Sequence, residues 1–178
     1  MKTWIALFRG INVGGHNILP MAELKKILES LNLSNVHTYI QSGNVVFDSE
    51  AKVTGSLIKR ITLRIEERYG FRPHLLLLSR QELKTAIDSN PFPGAVSYPK
   101  TLHFGFLATP ATNPNLKALG GAKSPTEEFE LVDRVFYLHA PDGVGRSKLA
   151  ANLEKYLGVV VTARNYRTVE KIFSMVVH

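Results

Sequence analysis

Two glycine-rich stretches and one arginine–asparagine pair carry the residue types that hold anions. Gly10-Ile11-Asn12-Val13-Gly14-Gly15 lies between an apolar run and an amphipathic one. Such a loop can turn backbone N–H groups onto a phosphate, because glycine tolerates positive φ angles. Its glycine spacing begins like a nucleoside-triphosphate loop. His16 and Asn17 then stand where that motif needs a lysine and a hydroxyl, so the chemistry is excluded. A tight structural turn remains the plain reading. Asp142-Gly143-Val144-Gly145-Arg146-Ser147-Lys148 also precedes a helical pattern. Gly143 and Gly145 offer amides, Ser147 a hydroxyl and Lys148 a charge. Alternatively Ser147 caps the helix and Lys148 is solvated. Arg164 and Asn165 follow an apolar run at an expected strand-to-helix junction. An arginine there can fork onto a carboxylate or phosphate, while Asn165 can also serve as a cap.

Other chemistries find little support. There are no cysteines, which removes disulfides, thiol catalysis and cysteine zinc sites. None of His16, His37, His74, His103, His139 and His178 has a second ligand at zinc-helix spacing. No serine occupies a nucleophile elbow. Glu66-Glu67 and Glu127-Glu128 read as solvated pairs. Phe104 and Phe106 share one face of a strand and read as core, not as a base-stacking platform. No metal and no cofactor is expected, and the residues do not decide whether the protein is an enzyme.

The elements that must position these groups follow from periodicity and punctuation. Thr3–Arg9 reads as a strand, and Pro20 opens a helix with Met21, Leu24, Leu28 and Leu31 on one stripe. Val36–Gln41 and Val45–Asp48 form a hairpin about Ser42-Gly43-Asn44. Ser56–Tyr69 is a helix stopped by Gly70, and His74–Leu78 is a buried strand. Ser79 and Glu82 make a capping box for a connecting helix through Ile87, ended by Asn90-Pro91-Phe92-Pro93-Gly94. The order then repeats. Leu102–Ala108 is a strand, Asn115–Leu119 a helix, and Glu128–Val132 with Val135–His139 a hairpin. Ser147–Leu157 is a helix stopped by Gly158, Val159–Thr162 the last strand, and Val169–Val177 a closing helix.

Each half therefore reads strand–helix–strand–strand–helix–strand, the ferredoxin-like split unit. The expected fold is α+β: a tandem duplication of ferredoxin-like βαββαβ units with antiparallel sheets of strand order 4-1-3-2. The expected halves are 1–90 and 91–178. Right-handed crossovers put Arg9–Asn17 beside Gln41–Asn44 at one end of the first half. They put Asp142–Lys148 and Thr162–Asn165 at one end of the second. Arg9, Asn12, Gly14, Gly15, Ser42 and Asn44 in the first cluster are thus candidate ligand-binding residues. Gly143, Gly145, Ser147, Lys148, Arg164 and Asn165 are those of the second. The two clusters are expected to face one another across a single cleft between the halves.

Composition bounds the setting. The chain has 178 residues, 44% hydrophobic and 21% charged, enough for a sizeable core. The apolar run at the N-terminus is short and broken by Arg9, and no stretch approaches the roughly 18 apolar residues of a membrane helix. A cytoplasmic location and no membrane association are expected. The net charge of +7 suits an anionic partner, but the basic residues are dispersed, which weakens a nucleic-acid reading.

Several motifs together resemble a known family. They are Phe8-Arg9-Gly10-Ile11-Asn12-Val13-Gly14-Gly15 with Pro20-Met21-Ala22-Glu23-Leu24, then Thr38–Phe47 and Asn90–Pro93, and finally Gly143–Leu149 and Thr162–Lys171. In this order they resemble the bacterial domain-of-unknown-function 1697 family over nearly the whole chain. The resemblance implies a compact cytoplasmic bacterial protein of duplicated ferredoxin-like architecture. It implies no substrate, cofactor or catalytic residue. The leading expectation is a small anionic or nucleotide-like ligand. The alternatives are nucleic-acid binding through a basic surface and a protein-interaction role.

Overall fold

Alternation of apolar and polar residues, interrupted by glycines at positive φ, sets the order of elements. The computed structural model describes residues 1–52 and 54–176. Val177, the expected end of the last helix, and His178 lie outside the described residues. In chain order the elements begin β1 (Lys2–Arg9), α1 (Met21–Ser30), β2 (Ser34–Tyr39), β3 (Asn44–Ser49), α2 (Thr54–Tyr69) and β4 (His74–Ser79). A connecting helix α3 (Arg80–Asp88) and a 3-10 turn (Pro93–Ser97) follow. The second series is β5 (Leu102–Leu107), α4 (Leu116–Ala122), β6 (Glu128–Val132), β7 (Val135–His139), α5 (Lys148–Ala151), α6 (Leu153–Leu157) and β8 (Val161–Asn165), with α7 (Tyr166–Met175) last. The chain falls into two compact units: Met1–Lys84 with the chain from Ile172 on, and Thr85–Lys171.

Each unit holds one four-stranded antiparallel sheet built from a βαββαβ unit, ordered β2-β3-β1-β4 and β6-β7-β5-β8. This is the expected 4-1-3-2 order. In the first unit α1 and α2 cover the face carrying Trp4, Ala6, Phe8, Val45 and Phe47. Ile5, Leu7 and Val46 on the other face are also buried, so the central strands are apolar on both sides. In the second unit Leu107, Phe136, Leu138 and Val161 pack with Leu119, Leu149, Leu153 and Leu157 of the helices. Phe104 and Tyr137 lie buried on the opposite face, their rings 4.8 Å apart edge to face. No helix of the described residues is long and apolar enough to cross a membrane.

Four local expectations need correction. Pro20 is the N-cap of α1, with extended φ −58° and ψ 136°, and Met21 is the first helical residue. The helix expected over Ser147–Leu157 breaks at Asn152, whose backbone sits at φ −106°, ψ 8°. Its side chain donates to the Lys148 carbonyl at 2.8 Å, a local bond that competes with a regular helix. The last strand begins later and runs to Asn165, paired with His103. As an edge strand, β8 tolerates the polar residues that ended its apolar pattern. Glu127 is not solvated: it is 4% exposed, whereas Glu128 is exposed.

Candidate functional site

The Gly10–Asn17 loop is tied to the β2–β3 turn by one side chain. The Asn12 amide donates to the carbonyls of Leu19 and Gln41, each at 2.9 Å, and its oxygen accepts the Leu19 N–H at 2.8 Å. Asn12 adopts φ 53°, a left-handed conformation that asparagine accepts more readily than most residues. Asn17 closes the loop by donating to the Gly10 carbonyl at 2.9 Å. The Phe8 N–H donates to Gly43 at 2.8 Å. The expected neighbourhood of Arg9–Asn17 and Gln41–Asn44 is therefore present. Its chemistry is mostly internal. Asn44 is fully buried, donating to Tyr39 at 3.0 Å and to the Ser42 hydroxyl at 3.1 Å. Gly14 and Gly15 are exposed at φ 57° and 76°, and Arg9 is half-buried opposite His74.

In the second unit the α4–β6 loop meets the β7–α5 loop around a pocket of about 470 Å³. One wall is Gly121–Ser124 with Glu127; the other holds Asp142, Gly143, Arg146, Ser147 and Lys148. Three cations thus share the pocket with two carboxylates. Glu127 accepts the Ser124 N–H at 2.9 Å, and Lys123 donates to the Glu127 carbonyl at 3.0 Å. Asp142 accepts the Thr126 hydroxyl at 2.6 Å. The first two bonds close the α4–β6 loop on itself, the Thr126–Asp142 bond joins it to the β7–α5 loop, and both carboxylates accept a hydrogen bond. Ser147 caps α5 by accepting the Ala150 N–H at 3.0 Å, which leaves its O–H able to donate. Gly143 turns the chain at φ 88°.

Gly145, Arg164 and Asn165 are not among the residues that line this pocket. Asn165 accepts the Thr168 N–H at 3.0 Å and so starts α7. Arg164 is half-buried on β8, opposite Phe104, and donates to the Ala163 carbonyl at 2.9 Å. Burial lowers its pKa to about 10. Lys123 and Glu127 escaped the sequence reading. Their only local signal was Ser124 followed three residues later by Glu127, the spacing of a capping box without a helix behind it.

Two other hollows, about 460 and 560 Å³, flank Ser49–Ala51 in the first unit. Lys2 and Arg60 among their cations are engaged, Lys2 4.4 Å over the Trp4 ring and Arg60 donating to the Leu31 carbonyl at 3.1 Å, while Lys52 also lines the larger hollow. Among the described residues no three histidine, aspartate or glutamate side chains gather as a metal site.

The chain matches the family described as protein of unknown function (DUF1697) over residues 1–137. It is similar to a solved structure described as that of conserved bacterial protein SP0830 from Streptococcus pneumoniae. The two are 25% identical, with 98% of each chain covered and a TM-score of 0.72. No curated protein matches.

Proposed function

We propose, for a chain that belongs to the DUF1697 family of proteins of unknown function, that its second unit binds a small anionic or nucleotide-like ligand. The carrying observation is the convergence of Lys123, Arg146 and Lys148 on one pocket with the hydroxyl residues Ser124 and Ser147. Positive charge in a concave site attracts a phosphate or carboxylate, and arginine adds a bidentate fork. Glu127 and Asp142 suit hydroxyl or amino groups on the same ligand. Among the earlier candidates, Gly143, Ser147 and Lys148 belong to this reading directly. The role proposed is binding, and no residue is assigned to a covalent step.

Nucleic-acid binding is the weaker reading because several exposed cations on the first unit are matched by carboxylates. Arg68 pairs with Glu23 at 2.9 Å and Arg64 with Glu67 at 3.3 Å. Calorimetric titration with phosphate, pyrophosphate and adenosine monophosphate tests the proposal. Saturable heat is expected, and Arg146→Met and Lys148→Met should each weaken binding while the melting temperature holds. A ligand at 100 times its dissociation constant should add about 2.7 kcal/mol of stability. Absence of heat and of stabilisation with all three probes would reject it. Affinity for an oligonucleotide that falls by about 0.9 log units per neutralised phosphate for each tenfold rise in salt would favour the nucleic-acid reading instead.

A further inference from the structure

Burial orders the polar groups of the second-unit pocket. Glu127 and Ser147 are 4% and 8% exposed and make its inner wall. Lys123, Asp142, Arg146 and Lys148 are exposed and make its rim. The Glu127 carboxylate accepts the Ser124 N–H at 2.9 Å through Oε2, and its Oε1 has no partner among the described residues. The side-chain polar atoms sealed from solvent without a partner are, among the described residues, Trp4 Nε1 and His103 Nε2. Glu127 Oε1 therefore keeps an opening, and the pocket that Glu127 lines provides it. Ser147 Oγ accepts the Ala150 N–H at 3.0 Å and keeps its O–H to donate. The inner wall thus offers one unused acceptor and one unused donor, whereas the rim offers charge.

We propose that the ligand is a phosphorylated polyol, as in a sugar phosphate: its phosphate is held at the rim by Arg146 and Lys148, and its hydroxyl groups reach Glu127 and Ser147. This deepens the anion-binding reading of the same pocket and rests on it. The inner wall selects the hydroxyls. A buried carboxylate oxygen needs a donor, and a buried hydroxyl hydrogen needs an acceptor. Alcohol groups supply both, and a hydrocarbon supplies neither. An ammonium group supplies donors alone, and three cations against two carboxylates leave the pocket net positive, which opposes it. A volume of about 470 Å³ lies within the roughly 300–1,000 Å³ of small-ligand sites.

Calorimetric titration of the full chain with a matched pair, glycerol 3-phosphate and propyl phosphate, tests this. The two share charge and carbon chain and differ in their hydroxyls. Glycerol 3-phosphate should bind at least about tenfold more tightly. In Glu127→Gln the amide oxygen takes the Ser124 N–H, and a donor replaces the acceptor in the pocket. That variant should lose most of the preference, keep its affinity for propyl phosphate and melt close to the wild type. Ribose 5-phosphate should share the preference, and its affinity beside that of adenosine monophosphate tells a free sugar phosphate from a nucleotide. If glycerol 3-phosphate and ribose 5-phosphate bind no more tightly than propyl phosphate, the proposal is overturned and the anion-binding reading stands. A preference that folded Glu127→Gln retains in full also overturns it. Absence of heat with all of these, and with phosphate and pyrophosphate, ends both readings.

Discussion

The Asn12 side-chain amide donates to the Gln41 carbonyl at 2.9 Å, joining the loop after β1 to the turn between β2 and β3. With its two bonds to Leu19, one side chain orders two loops distant in sequence. Asn12→Ala should lower stability by about 2 kcal/mol, from lost bonds and a left-handed backbone that alanine resists. Asn12→Gly should cost less, since glycine accepts φ 53°. Urea unfolding of both variants checks the order. Equal losses would mean that backbone conformation contributes nothing.

Ile40→Asn should raise stability by about 1 kcal/mol, because asparagine relieves the left-handed strain and the exposed isoleucine contributes little packing. The same unfolding measurement reads it. A loss of stability would place Ile40 in packing that its exposure does not suggest.

Gly43 and Gly145 make a matched pair. A Cβ on Gly43, at φ 85°, would stand 2.6 Å from Ile11 Cδ1 and 2.7 Å from Phe8 Cβ. Gly43→Ala should therefore cost more than about 2 kcal/mol. A Cβ on Gly145 meets nothing within 4 Å, and Gly145→Ala should stay within about 0.5 kcal/mol. Thermal melts separate the two.

His103 gives a pH signature. Burial lowers its pKa, opposed by a hydrogen bond to the Lys100 backbone, and its Nε2 is buried without a partner among the described residues. A histidine whose folded pKa lies below its unfolded value binds protons more readily when unfolded. Its contribution is complete above the unfolded value of about 6.5 and declines as pH falls towards the folded value. Wild-type stability should drop more between pH 7 and pH 5 than that of His103→Phe. Parallel curves would show that His103 does not titrate differently on folding.

Glu127 closes the α4–β6 loop on itself by accepting the Ser124 N–H, and it is 4% exposed. Glu127→Ala should leave the Ser124 N–H without its partner and lower stability by about 1–3 kcal/mol. Glu127→Gln, which keeps an acceptor, should recover most of that loss. Denaturant midpoints of the two variants decide whether the charge or the acceptor matters.

Strand order, hairpins and the main helices were legible because period-2 and period-3.6 patterns differ and glycine and proline mark their ends. Gly70, Gly158 and the Ser79–Glu82 capping box are local signals of that kind, and each acts where it was read. Adjacency of the first-unit loops also followed, since right-handed crossovers leave few choices. The membership of the pocket did not follow. Lys123 and Glu127 join Asp142 and Lys148 only because the sheet brings the α4–β6 loop against the β7–α5 loop. Nor could sequence reveal which polar groups were already used. Asn12, Asn44, Ser147 and Asn165 all read as candidates, yet each makes hydrogen bonds to nearby backbone. Residue type states what a side chain can bond. Only the tertiary arrangement decides whether that capacity serves the fold or is left for a ligand.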